Sequence, residues 1–146
     1  VCQSLQEKIL MTSKPEAFLI DIDGVISVGG VLLPGALDII TWLHDVGYPF
    51  RFVSNTTRRR RSTIAAELTA MGIATPETSI FTPAMAAVSF MSQKKRTRAF
   101  LLTTRELEAE FVSGGITQVH NDADFVVVGD SGDRFTYDRM NAAFRN

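Results

Sequence analysis

A chain of 146 residues has room for one domain, or for one domain and part of another. With 45% hydrophobic and 21% charged residues, its composition argues against global disorder, and a net charge of −1 carries no whole-chain signature of a nucleic-acid or membrane binder. No apolar run approaches the roughly 20 residues of a bilayer span. The single cysteine, Cys2, allows no disulfide within the chain and points to a reducing, cytoplasmic compartment.

Residues 1–14, VCQSLQEKILMTSK, read as an N-terminal extension without the apolar core of a secretory signal. Two readings stand side by side there: Met11 as the natural start, or residues 5–11 as a short helix docked on the surface. Residues 17–21, AFLID, form a short apolar run bounded by polar residues, as in a strand buried on both faces. The Gly29–Gly30 pair between β-branched runs reads as a small hairpin. Pro34 and Gly35 open an amphipathic helix that stops at Gly47. Residues 49–53 are a second strand ending on SNTT, and residues 57–71 a helix closing on Gly72. Then follow a brief strand at 79–82, a helix at 83–91, a polar turn (SQKKRTR), a strand at 99–103 and a short helix at 106–112. A buried-type strand at 124–129 and a helix at 135–144 complete the chain, with Trp42 and the phenylalanines at core spacings. Strands alternating with helices predict an α/β fold: a Rossmann-like, mostly parallel sheet with flanking helices.

Such sheets bind ligands beyond the carboxyl ends of their strands, and two unusual motifs lie there. In DIDG, Asp21 and Asp23 are two apart in extended chain, so both point one way while Ile22 turns into the core. Two like charges this close call for a cation, and Mg²⁺ fits because it takes oxygen ligands and enters with substrate phosphate. Gly24 lets the backbone turn away and leaves space for a ligand. In SNTT, Ser54 and Thr56 offer hydroxyls and Asn55 an amide, and the N–H groups of the following helix attract anions. Carboxylates with a metal on one strand and phosphate donors on its neighbour describe phosphoryl transfer.

FLIDIDGVI, LLPGALDIITWL, RFVSNTT, IFTPAMAAVSF and DFVVVGDSGDRFTYDRMNAAFR resemble, from about residue 18 to the C-terminus, the haloacid dehalogenase superfamily. The resemblance is to its subfamily IIA phosphatases, which carry a large α/β cap after the second motif, and within them to the phospholysine phosphohistidine inorganic pyrophosphate phosphatase-like group. It implies a core over residues 15–95 and the first part of an α/β cap over residues 96–146. It also implies Asp21 as nucleophile and Mg²⁺ ligand, and Asp23 as acid/base that gives the metal its backbone carbonyl. Ser54, Asn55 and Gly24 would hold the phosphoryl group of a small phosphorylated substrate. The family's lysine and its last acidic pair normally follow the cap. Lys94 and Lys95, in a polar turn, do not fill the lysine role, so a truncated chain of little activity is expected. VVVGDSGD, with Asp130 and Asp133, imitates the last acidic motif and is a competing metal site.

Each sharp reading has a plain one beside it. The Asp pair can cap a strand end, and SNTT can be a helix N-cap. Arg58 to Arg61 can meet an anion or form a solvated face, the latter being favoured, and no nucleic-acid partner is expected. His44, His120 and Cys2 are assigned no chemistry. Beside the phosphatase stands a non-catalytic phosphate- or metal-binding module that works by association, with homo-oligomers forming through exposed apolar surface. A phospho-acceptor receiver domain ranks last, because neither its acceptor aspartate nor its lysine is in place.

Overall fold

A computed structural model describes residues 14–146; the readings made for residues 1–13 lie outside the described residues. In chain order the elements are β1 (Phe18–Asp21), β2 (Ser27–Val28), β3 (Val31–Leu32), α1 (Ala36–Val46), β4 (Phe50–Val53) and α2 (Arg61–Ala70). A 3₁₀ turn at Glu77–Ser79 leads to β5 (Ile80–Phe81) and α3 (Pro83–Gln93), followed by β6 (Arg98–Leu102), α4 (Arg105–Ser113), β7 (Thr117–Gln118) and β8 (Phe125–Val128). A second 3₁₀ turn, Gly132–Arg134, precedes α5 (Tyr137–Arg145). Among the described residues no helix is long and apolar enough to cross a membrane.

The fold is α/β with parallel pairing, as expected, but the strands form two three-stranded sheets, β1-β4-β5 and β7-β6-β8, and a two-stranded hairpin, β2-β3. Each sheet has its own core. Phe52 and Ile80 of the first pack with Ile40 and Leu43 of α1 and Ile64 and Leu68 of α2. Ala99 and Leu101 of the second pack with Leu107 and Phe111 of α4. Helix α3, read from sequence with the first unit, puts its buried Ala84 and Met91 into this second cluster. Gly114 explains the fit: a Cβ there would lie 2.8 Å from Cγ1 of Val88 on α3.

Three expectations need correction. The first strand is not buried on both faces: Phe18 and Ile20 pack inward, whereas Leu19 is 78% exposed. Alternate strand residues face opposite sides, and α1 and α2 pack on the side of Phe18 and Ile20; β8 shows the same alternation, with Val126 and Val128 exposed. Trp42 is half exposed, and Phe144 projects at 90% exposure. The second helix starts at Arg61 rather than at residue 57, because the chain before it is bonded elsewhere. The Arg58 amide donates to Thr56 Oγ1, the Arg58 carbonyl accepts from Thr104 Oγ1, and the Arg60 amide donates to Glu106 Oε1.

Candidate active site

β1 and β4 run parallel with Phe18 opposite Phe50 and Asp21 opposite Val53. Both motifs therefore leave the same end of neighbouring strands, which in a sheet lie about 4.8 Å apart. The Ile22 amide donates to the Val53 carbonyl (3.2 Å), so pairing continues one step past β1, and Ile22 is buried as its spacing predicts. The chain then folds tightly around Ile22, whose carbonyl accepts from the amides of Ile26 (2.9 Å) and Ser27 (3.1 Å). Gly24 makes this turn at φ +86, a conformation that side chains resist, and nothing lies within 4 Å of where its Cβ would be. Asp21 and Asp23 are both exposed at this rim, and Asp21 Oδ1 accepts from the Ile22 amide at 2.9 Å.

Ser54 is anchored where β4 ends. Its amide donates to the Phe81 carbonyl of β5 (3.0 Å), and the residue is 1% exposed. Its Oγ accepts from the Thr56 amide at 3.3 Å, which leaves the hydroxyl proton available for donation. Asn55 is exposed beside it. The helix N–H groups expected directly after SNTT are displaced along the chain, since α2 begins at Arg61.

Residues 18–117 match the family model for haloacid dehalogenase-like hydrolases. The chain belongs to that family. It is 34% identical over 117 residues to the phospholysine phosphohistidine inorganic pyrophosphate phosphatase of Danio rerio, a match covering 80% of this chain and 42% of that protein. The crystal structure of a 4-nitrophenylphosphatase from Thermotoga maritima aligns with a TM-score of 0.82 at 29% identity, over 88% of this chain and 49% of that one. A glycerol phosphate phosphatase from Mycobacterium tuberculosis, solved in complex with magnesium, aligns at 0.75 and 25% identity, over 88% of this chain and 40% of that one. The chain thus spans about half the length, or less, of the relatives it matches.

In this haloacid dehalogenase-like chain the arginine run neither waves in solvent nor forms an open basic patch. Arg58 pairs with Asp130 (3.2 Å), Arg59 lies between Asp23 (3.7 Å) and Glu67, and Arg61 pairs with Glu110, which is 7% exposed. Arg60 stays exposed while its amide is bonded to Glu106. The run therefore joins the first sheet's site loop to α4 and to the loop after β8. Asp130, which the sequence offers with Asp133 as a competing metal site, is engaged by its neighbours here. Asp130 Oδ2 is taken by Arg58, its Oδ1 accepts from the Gly132 amide (2.9 Å), and its own amide donates to Thr57 Oγ1 (3.0 Å). No cluster of three or more His, Cys, Asp or Glu suited to a metal ion exists among the described residues.

Sequence reasoning missed the cavity this contact creates. About 650 Å³ is lined by Arg58, Thr104, Arg105, Ser131, Gly132 and Arg134, together with Asp133. Ser131 is 2% exposed, and its Oγ has no hydrogen-bond partner. Glu106 and Glu110 of α4, which meet Arg60 and Arg61, were the available signal; the pairing itself spans about fifty residues and leaves no periodic trace.

Proposed function

We propose that this chain carries the nucleophile and the first phosphate contacts of a Mg²⁺-dependent phosphate-monoester hydrolase. The single observation that supports it most is the β1–β4 register, Asp21 opposite Val53, which brings DIDG and SNTT to one rim. The donor set fits the ion. Two exposed carboxylates at one strand end, without a third ligating side chain clustered among the described residues, suit Mg²⁺, which keeps waters and takes substrate phosphate oxygens. Asp21 and the Asp23 carbonyl would hold it, and it would neutralise charge between carboxylate and phosphate.

In this reading an Asp21 oxygen attacks phosphorus, and the bond from phosphorus to the leaving oxygen breaks. Asp23 delivers its proton to that oxygen. Water then attacks the aspartyl-phosphate, Asp23 takes up the water's proton, and inorganic phosphate leaves with Asp21 restored. Ser54 Oγ and the Asn55 backbone donate to the phosphoryl oxygens, and Gly24 leaves room for them. In this reading the cavity lined by Arg58, Arg105 and Arg134 takes the rest of a small anionic substrate. Among the described ion pairs Arg59 faces Asp23 and none includes Asp21, and slow turnover is proposed for this chain. A cytoplasmic setting suits the lone cysteine.

Hydrolysis of 4-nitrophenyl phosphate by this chain tests the assignment. Slow, Mg²⁺-dependent release that disappears in Asp21→Asn is the expected result; equal rates in Asp21→Asn would remove Asp21 as nucleophile.

A second reading, association as a non-catalytic module, is favoured by one specific feature. The face of the first sheet opposite α1 and α2 presents Leu19 and Phe81, 78% and 47% exposed, around a cavity of about 300 Å³ that Val53, Ile80 and Met85 of α3 also line. That face adjoins the outer edge of β1, which has no strand partner among the described residues. A second copy of this chain would cover it.

A further inference from the structure

Asp21 and Asp23 place two carboxylates at one strand end, yet the structure already supplies a cation to one of them. Arg59 Nη2 stands 3.7 Å from Asp23 Oδ2, within ion-pair range but beyond a hydrogen bond. Its Nη1 is hydrogen-bonded to Glu67 Oε2 on α2. The guanidinium is thus anchored on Glu67 and leans toward Asp23. The three side chains are 33% (Arg59), 53% (Asp23) and 44% (Glu67) exposed, so a hydrated divalent ion held by Asp21 and the Asp23 carbonyl could come close enough to feel the guanidinium charge. The other three arginines of the run point elsewhere: Arg58 to Asp130, Arg61 to Glu110, and Arg60 to solvent.

We propose that Arg59 is a resident counter-ion of the Asp21–Asp23 pair, which competes with the divalent cation and is restrained from full occupancy by Glu67. This rests on the magnesium reading given above. When Mg²⁺ enters, its two positive charges and that of Arg59 repel, and the guanidinium retreats onto Glu67. When Mg²⁺ leaves, Arg59 turns back toward Asp23 and limits repulsion between the two acids. Arg59 is a positioning residue: it acts through Asp23, the proton donor of the reading above, and is given no contact with substrate or phosphorus.

Calorimetric titration with MgCl₂ alone, at low and high KCl, tests this on the whole chain, with far-UV circular dichroism to verify folding. Arg59→Gln should bind Mg²⁺ about fivefold more tightly than the wild type at low salt, with the gap shrinking at high salt as the charges are screened. Arg59→Lys, which keeps the charge, should stay near wild type. Glu67→Gln, which frees Arg59 to lie on Asp23, should bind more weakly; it also carries the test should Arg59→Gln not fold. A merely structural arginine would weaken the site when removed and could not tighten it. Affinity in Arg59→Gln that is unchanged, lower or undetectable overturns the proposal. Affinity that survives Asp21→Asn in every background overturns the magnesium reading beneath it, and is told apart from the first failure by that variant alone.

Discussion

Two carboxylates one residue apart serve one site only if the backbone presents both on one side, and residues 21–24 set them around one buried side chain and beside one glycine. Ile22, 5% exposed, pins the segment to the core, and Gly24 takes the positive φ that ends the strand. Because nothing lies near the Gly24 Cβ position, Gly24→Ala meets no steric block, and its cost comes from the backbone alone. Urea denaturation should show a loss of about 1 kcal/mol; an unchanged midpoint would mean that the turn relaxes. Ser54 differs, being buried and bonded to the Thr56 amide. Ser54→Ala should therefore lose about 1 kcal/mol of stability as well as its contact to phosphate.

At the scale of elements, the contact between the site loop and the second sheet is what periodicity could not reveal. Gly129 follows β8 and packs against Thr57: a Cβ on it would stand 3.3 Å from Thr57 Cβ and from the Thr57 carbonyl oxygen. Thr104, the N-cap of α4, accepts from the Leu107 amide while donating to the Arg58 carbonyl, so one hydroxyl both caps a helix and holds the arginine loop. Glu110 is buried against Arg61, and removing one partner of such a pair strands a charge. Glu110→Ala should cost about 3 kcal/mol in chemical denaturation, and the Glu110→Ala/Arg61→Ala double variant less than the sum of the single losses. Additive losses would show that the two do not interact. Most strands and helices were legible because hydrophobic alternation and glycine stops are local signals: α1 ends at Gly47 in the left-handed conformation, as its sequence indicates. The start of α2 was not legible, because Arg58 and Arg60 are held by residues of α4 far along the chain. The strand β7 was missed because it is only two residues long: Thr117 and Gln118 pair with Arg98 and Ala99 of β6, too short a run for alternation to register. The rim position of Asp21, Asp23 and Ser54 was readable because parallel α/β sheets gather strand ends; the cation leaning on Asp23 was not, since Arg59 looked like any member of its run.

For the whole molecule, apolar residues are left outside on both sheets and on the last helix: Leu19 and Phe81 on the first sheet, Val126 and Val128 on the second, and Tyr137 and Phe144 on α5. Sedimentation velocity should show self-association that grows with concentration and is reduced by Leu19→Lys; a monomer at all concentrations would count against the association reading. The central claim, that Asp21, Asp23 and Ser54 converge on one magnesium-dependent phosphoryl site, is tested most directly by ¹⁹F NMR of this chain with beryllium fluoride, a mimic of the aspartyl-bound phosphoryl group. The account predicts bound-fluoride resonances that require Mg²⁺, vanish in Asp21→Asn and weaken in Ser54→Ala. Resonances indifferent to Asp21, or none at saturating Mg²⁺ and beryllium fluoride, would contradict it.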